Sequence, residues 1–424
     1  MSSVPVPPPP APRRRRFVRP LAIFAVLGPG VIAASAGNDA GGITTYASAG
    51  SEFIYSMLFV MVLVTVALVV VQEMSARLGA YTGEGLISLV REQFSLRMGA
   101  FAVLALLVAN LGLVVSEFAG IGAAMEIFGV SRYISVPIAA AVIFSVVVLG
   151  SYRRAEKIFL LLSLVFLAYP VSMVLADPNW GEVAKNTLWP HFVNSQSFLF
   201  LAVAIIGTTI TPYMQLYQAA AVADRGIGPD EYPQERIDTI AGSVFANLIA
   251  MSIIIATAAT IGGSGALQSA DQAAKALQPV AGASAETLFA LGLLGASLLA
   301  AAIVPLSTAY GVAEAVGAER SVSRRFREAP LFLGLFTAQI VIGAAVALIP
   351  GNLIDLLITM QILNGIITPV ILTFILILAN RRSVLGDAVN RPRFKAVATV
   401  CVVVVSVLAS VVLALTVLGW FGLA

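Results

Sequence analysis

Hydrophobic residues run along this chain in long continuous stretches rather than in alternation with polar ones. Eleven stretches have the length, about 20 residues, that a helix needs to cross the apolar core of a bilayer. Their continuity is not the alternating pattern of a transmembrane β-barrel. The predicted spans, numbered 1 to 11, cover residues 21–50, 53–73, 99–127, 131–149, 157–176, 196–223, 239–262, 286–315, 329–349, 352–379 and 397–423. The pattern predicts an all-α integral membrane protein.

The amino-acid composition agrees with a membrane protein and excludes several other classes of protein. Of the 424 residues, 59% are hydrophobic and only 11% are charged, too little charge for a soluble enzyme of this length. The single cysteine, Cys401, excludes a disulfide framework, and the single histidine, His191, excludes a multi-histidine zinc site. We expect His191 to lie at the surface. No resident cofactor and no nucleic-acid partner are expected.

The basic residues are distributed unevenly along the chain. Residues 1–20 contain a proline-rich stretch followed by Arg13 to Arg16, which predicts a disordered basic tail. If the N-terminus is cytoplasmic and eleven spans alternate, 22 of the 25 lysines and arginines lie on the cytoplasmic side. This bias follows the positive-inside rule. It predicts a cytoplasmic N-terminus and an external C-terminus. The single cysteine, the absence of a glycosylation pattern in the predicted outer loops and the short chain suit a prokaryotic inner membrane.

Two of the predicted spans are interrupted near their middle. Span 1 contains the polar, glycine-rich segment 37–42 around Asp39, and span 6 contains the segment 207–213 around Thr211. Glycine and proline weaken or break helices, and free backbone groups are tolerated in a membrane only where they line protein or a cavity. Matching breaks predict two inverted five-helix repeats, residues 21–176 and 196–379, followed by an eleventh helix, 397–423. A substrate site is expected between the breaks.

Acidic residues inside the membrane suggest what the substrate is. Asp39 lies in the first break and Glu117 lies in the middle of span 3, and no lysine or arginine of span 1 is deep enough to pair with Asp39. An intramembrane charge is costly and marks a functional site. Five other acidic residues lie near the ends of spans, where contact with the membrane interface is expected: Glu52, Glu73, Glu126, Glu314 and Asp355. An anionic site without a protein counter-charge predicts a cationic substrate.

The polar groups near the breaks carry oxygen rather than sulfur or imidazole. They are the Asp39 carboxylate, the Asn38 and Gln361 amides, the Thr211 hydroxyl and the carbonyls freed by the breaks. Such groups suit hard cations such as Mg²⁺, Ca²⁺ or Mn²⁺. With a single carboxylate, the ion is expected to keep several waters, as Mg²⁺ prefers.

Several motifs resemble the Nramp family of divalent-metal transporters over about residues 28–380. The matching segments are Gly28-Pro29-Gly30, 37–42, 72–79, Thr82-Gly83, Arg91, 116–122, Thr211-Pro212-Tyr213 and Gln361. The resemblance implies a LeuT-like fold with the metal between broken helices 1 and 6. Asp39 would be the central ligand, assisted by the carbonyls of Ala36 and Thr208 and by the Gln361 side chain. Glu117 would line the proton route of the coupled members.

Four positions differ from the family motifs and indicate which members of the family the chain resembles most. Thr211 replaces a methionine, Gly42 an asparagine, Tyr213 a histidine and Val114 an acidic residue. This pattern is similar to the Nramp-related magnesium transporters. It predicts a carrier for Mg²⁺, also admitting Mn²⁺, that works by alternating access without proton coupling. The alternative is a proton-coupled Mn²⁺/Fe²⁺ symporter of the standard Nramp type. Glu117 is the main support for this alternative, and Thr211 is the main objection to it.

Other classes of function are less compatible with the sequence. An amino acid carrier driven by Na⁺ would place a substrate carboxylate against Asp39, which would repel it. A channel would show filter residues from repeated subunits, a sensor would carry an output domain, and an enzyme would combine a base with a nucleophile. The sequence therefore predicts a monomeric transporter and not an enzyme. The expected partners of this transporter are a divalent cation and the lipid bilayer.

Overall fold

The computed structural model describes residues 39–148, 164–316 and 329–421, which form helices and short connections without a β-strand. The predicted basic tail, the first part of span 1 with Ala36 and Asn38, and the start of span 5 lie outside these residues. The all-α architecture predicted from the continuous apolar stretches is confirmed.

The described residues form seventeen α-helices and a few 3-10 turns. In chain order the helices are α1 (Ala40–Phe53), α2 (Leu58–Thr82), α3 (Leu86–Gln93), α4 (Leu96–Ile127), α5 (Arg132–Val148), α6 (Ala168–Leu175), α7 (Trp180–Leu188), α8 (Gln196–Thr209), α9 (Pro212–Asp224), α10 (Tyr232–Ile261), α11 (Ala270–Ala274), α12 (Gln278–Ala281), α13 (Ala285–Val316), α14 (Pro330–Ala347), α15 (Leu353–Ala379), α16 (Arg382–Leu385) and α17 (Pro392–Trp420). The 3-10 turns are Leu164–Leu167, Lys275–Leu277, Gly282–Ser284 and Gly386–Ala388.

The helices coincide with the predicted spans, but several extend further. Eight helical segments of the described residues are long and apolar enough to cross a membrane, and two shorter apolar helices correspond to spans 4 and 5. Helix α1 is the second part of span 1. Helix α2 continues to Thr82 instead of ending at 73, and α10 and α17 begin at Tyr232 and Pro392 rather than 239 and 397. Hydropathy marks only the apolar part of a helix, so polar end turns were missed.

The helices pack around the interrupted segments. Helix α4 lies along both α13 and α15, and α1 lies among α4, α8, α10 and α15. Close approach depends on glycine: a Cβ on Gly365 of α15 would lie 2.3 Å from the Val203 carbonyl oxygen of α8. Small residues allow helix backbones to pack closely in this way. Such packing matters in a membrane because the hydrophobic effect does not drive helices together in lipid. The last helix, α17, packs on α15 and exposes a row of valines, as expected of a lipid-facing surface.

An ion-pair network at one end of α2 corrects the expectation that Glu73 contacts the membrane interface. Glu73 and Arg77 are both buried, and Arg77 Nη2 lies 3.1 Å from Glu73 Oε2. The Tyr232 hydroxyl donates to Glu73, and Arg77 also donates to the Ala388 carbonyl at 3.0 Å and to Asn390. The network therefore joins α2 to the start of α10 and to the segment between α16 and α17.

Candidate metal site

Asp39 lies directly before α1 and caps its N-terminus. Its Oδ1 accepts hydrogen bonds from the Gly42 backbone N–H at 2.7 Å and from the Thr208 hydroxyl at 3.4 Å. The side chain is 2% exposed, and no ion pair of the described residues includes it. The N-terminal end of a helix stabilises a carboxylate only in part. A buried anion without a cationic partner favours binding of a cation.

The interruption of span 6 lies opposite Asp39. The last helical bond of α8 joins the Ile210 N–H to the Ile206 carbonyl at 2.8 Å, and Thr211 is extended. Pro212 begins α9 and has no N–H, so it cannot donate to the Thr208 carbonyl four residues earlier. The Thr208 hydroxyl contacts Asp39, so Thr208 lies beside this carboxylate, and the resemblance implies that its carbonyl is a ligand.

Helix α15 holds the interruption in place through two polar side chains that sequence reasoning did not select. Asn364 Nδ2 donates to the Gly207 carbonyl at 3.2 Å. The Thr368 hydroxyl donates to the Asn364 carbonyl of its own helix at 2.8 Å and also lies 3.4 Å from the Ile210 carbonyl. Asn364 is three residues from Gln361, so both lie on one helix face. That spacing in an otherwise apolar span was the signal that could have identified Asn364.

Three buried side-chain oxygens around the break have no hydrogen-bond partner. They are Thr211 Oγ1, Gln361 Oε1 and Asn364 Oδ1, and each residue is at most 1% exposed. Gln361 Nε2 donates to the Ser116 hydroxyl at 3.3 Å, which leaves the amide oxygen as the open group. An unpartnered buried polar atom costs about 1–3 kcal/mol. Open acceptors at this position are therefore suited to a cation or to its bound water.

A hydrogen bond on the other side of Asp39 joins the two interrupted spans. The hydroxyls of Tyr46 in α1 and Thr209 in α8 are 2.8 Å apart, and both residues are buried. Tyr46 is close enough to Asp39 for an electrostatic interaction. This contact ties the end of α8 to the middle of α1, beside the carboxylate.

Glu117 and Tyr213 lie in the surroundings of Asp39. Glu117, in the middle of α4, is fully buried and interacts with the backbone N–H of Ala40, and no described side chain pairs with its oxygens. Tyr213, near the start of α9, is 3% exposed and within electrostatic range of both carboxylates. The structure thus brings the two predicted pathway residues to the same region as the predicted ligands.

Other candidate residues have different positions. Ala36 and Asn38 lie outside the described residues, so their expected ligand roles stay predictions. Gly42 contributes its backbone N–H to Asp39 rather than an oxygen. His191 is exposed, as expected.

The donor set of the described site is therefore composed of oxygen. It combines one carboxylate with a hydroxyl, two amide oxygens and a freed carbonyl. No group of three or more His, Cys, Asp or Glu that could hold a metal occurs among residues 39–148, 164–316 and 329–421. Oxygen donors of this kind suit a hard cation, and water can complete its shell.

Two cavities lie on either side of the site along α4 and α13. One, of about 470 Å³, is lined by acidic residues that include Glu126 and Glu286. The other, of about 860 Å³, is lined by Leu106 and Ser307 further along the same two helices. Glu117 lies between Leu106 and Glu126 in α4. A cation at Asp39 would thus have one cavity towards each end of the helices.

Comparison with known proteins identifies the family. Residues 30–415 match the family model described as Nramp, natural resistance-associated macrophage protein-like. The chain belongs to the Nramp family. The resemblance inferred from the sequence motifs is confirmed.

Individual Nramp relatives are similar over much of the chain. The "Divalent metal cation transporter MntH 1" of Pseudomonas aeruginosa is 33% identical over 299 residues, which cover 66% of this chain and 66% of the relative. The "Divalent metal cation transporter MntH" of Aeromonas hydrophila is 28% identical over 391 residues, covering 90% and 93%. A transporter rather than an enzyme is therefore confirmed.

A solved structure of a manganese transporter shows the same fold. The crystal structure of the Eremococcus coleocola manganese transporter with an aromatic bis-isothiourea substituted compound has a TM-score of 0.75 and 19% sequence identity. The likeness covers 95% of this chain and 88% of the other. The predicted fold class, a LeuT-like arrangement of the Nramp type, is confirmed.

Proposed function

We propose that this chain, a divalent metal cation transporter of the Nramp family, carries Mg²⁺ and also Mn²⁺ across a membrane. It acts by alternating access and without proton coupling. Asp39 is the central ligand, assisted by the carbonyls of Ala36 and Thr208, by Thr211 and by Gln361.

The observation that carries this proposal is the open hydroxyl of Thr211. It is buried in the break, has no hydrogen-bond partner and stands where the family motif has a methionine. A thioether favours softer ions such as Mn²⁺ and Fe²⁺, whereas a hydroxyl favours hard ions and occupies less space. Space and oxygen acceptors beside one carboxylate suit an ion that keeps several of its waters, as Mg²⁺ does.

The membrane potential can supply the driving force. An inside-negative potential favours entry of a divalent cation by about 4.6 kcal/mol per 100 mV, twice the value for one charge. Uptake of Mg²⁺ therefore requires no coupled proton. The two cavities along α4 and α13 support alternating access because each could connect the site to one side of the membrane in turn.

The second candidate is a proton-coupled Mn²⁺/Fe²⁺ symporter. Glu117 favours it, because this carboxylate is fully buried near Asp39 without a cationic partner. Tyr213 argues against it, since a tyrosine exchanges protons near neutral pH far less readily than the histidine of the family motif.

We propose a cytoplasmic N-terminus, an external C-terminus and a monomer in a prokaryotic inner membrane. The repeats are residues 21–176 and 196–379, followed by the eleventh helix, 397–423. The asymmetry of 22 among 25 basic residues supports this orientation.

The test is ion flux into liposomes that contain a pH-sensitive dye and a divalent-cation indicator. We expect Mg²⁺ and Mn²⁺ entry driven by an inside-negative potential, with no acidification of the lumen. Acidification that follows metal entry would instead support the symporter. Entry of Mn²⁺ without any entry of Mg²⁺ would refute the proposed cargo.

A further inference from the structure

Asn364 lies at the edge of the metal site, and the nitrogen and oxygen of its side-chain amide differ in their hydrogen bonding. Its Nδ2 donates to the Gly207 carbonyl at 3.2 Å, whereas its Oδ1 is buried and has no partner. The residue is 1% exposed. Because the donor is committed to Gly207, the amide cannot turn round without losing that hydrogen bond. Asn364 therefore offers an acceptor whose orientation is fixed by the bond to Gly207.

The position of Asn364 links this acceptor to the cargo. Gly207 directly precedes Thr208, whose hydroxyl contacts Asp39. Gln361, one helical turn before Asn364, contacts the start of α1, where a Cβ on Gly41 would lie 1.8 Å from Gln361 Nε2. The same face of α15 thus touches both interrupted spans. Gln361 has the same arrangement, since its nitrogen is bound to Ser116 and its oxygen is open.

We propose that Asn364 is a cation-selecting residue: its Nδ2 positions the interruption of span 6, and its Oδ1 accepts a hydrogen bond from a water molecule that the bound cation retains. The inference rests on the proposed function for the identity of the cargo. Mg²⁺ gives up its waters reluctantly, so a fixed acceptor for such a water stabilises bound Mg²⁺ more than an ion that exchanges water for protein ligands.

Two substitutions separate the functions of the amide. Asn364→Leu keeps four side-chain heavy atoms branched at Cγ and removes both polar atoms. Asn364→Asp keeps an oxygen at the position of Oδ1 but replaces the Nδ2 donor. Gln339→Leu is the matched control, because Gln339 of α14 is also buried, its Nε2 donates to the Leu335 carbonyl and its Oε1 has no partner.

Binding of Mg²⁺ and of Mn²⁺ is measured by calorimetry on the purified full-length protein in detergent. We expect Asn364→Leu to weaken Mg²⁺ binding about tenfold, the effect of one hydrogen bond near a charged group, and to weaken Mn²⁺ binding less than threefold. Asn364→Asp should bind Mg²⁺ at least as tightly as the wild type. Gln339→Leu should bind both ions as the wild type does.

Four results would overturn the proposal: unchanged Mg²⁺ affinity in Asn364→Leu, equal loss for both ions, equal loss in Gln339→Leu, or equal loss in Asn364→Asp. The last would assign Asn364 only a positioning role. Wild-type protein that binds Mn²⁺ but no Mg²⁺ would refute the proposed cargo instead. In that case a loss of Mn²⁺ affinity confined to Asn364→Leu supports an acceptor facing the cargo, and unchanged Mn²⁺ affinity overturns it.

Discussion

The contact between α8 and α15 at Gly207 is a point where one added carbon should disturb the backbone of the site. A Cβ on Gly207 would lie 2.1 Å from the Gln361 carbonyl oxygen and 2.4 Å from the Gly365 backbone nitrogen. Both atoms belong to the backbone of α15, so no side chain can turn aside to make room. Gly207→Ala must therefore push the two helices apart.

The size of the displacement follows from the same distances. Ordinary contacts of a Cβ begin at 3.4 Å, so the 2.1 Å approach must lengthen by about 1.3 Å. The Asn364–Gly207 hydrogen bond, now 3.2 Å, would exceed bonding distance. Overpacking costs about 1–3 kcal/mol and a lost hydrogen bond about 1 kcal/mol. We expect a loss of about 3 kcal/mol in stability.

Thermal unfolding in detergent and calorimetric cation binding test this reasoning. Gly207→Ala should lower the Tm by several degrees and weaken Mn²⁺ and Mg²⁺ binding at least tenfold, because Thr208 moves with Gly207. The matched control is Gly334→Ala in α14, where an added Cβ meets nothing within 4 Å. Gly334→Ala should be neutral or slightly stabilising. A Gly207→Ala protein with wild-type Tm and wild-type affinity would show that the α8–α15 contact does not fix the site.

Three further predictions concern individual side chains. Asp39→Asn keeps the helix cap but removes the charge, so liposome uptake of Mg²⁺ and Mn²⁺ should fall below detection while the Tm is retained; normal uptake would exclude Asp39 as the central ligand. Thr211→Met should shift competition in favour of Mn²⁺ over Mg²⁺ by about tenfold, and an unchanged ratio would contradict the ligand argument. Arg77→Gln leaves Glu73 short of its buried partner and should destabilise the protein by about 3 kcal/mol; a wild-type Tm would show that the network contributes little.

The sequence was most informative about the spans and the breaks. Continuous apolar stretches mark membrane helices because the bilayer core excludes unpaired polar groups, and this requirement is local to each helix. The break in span 6 is equally local, since Pro212 lacks the N–H that a continuous helix requires. Asp39 could be selected for the same reason, because a carboxylate within an apolar span is rare.

The tertiary structure decided which polar groups meet and which remain open. Asn364 was not recognised as part of the site, because its committed donor and open acceptor depend on Gly207, 157 residues away along the chain. Glu73 was expected at the interface, but its partner Tyr232 lies in another helix. Sequence by itself therefore determined the membrane helices, the interruptions and the central carboxylate, each set by the hydration cost of local groups. Only packing determined the close α8–α15 contact and the set of unpartnered oxygens, because hydrogen bonds between helices depend on distances that no local pattern encodes.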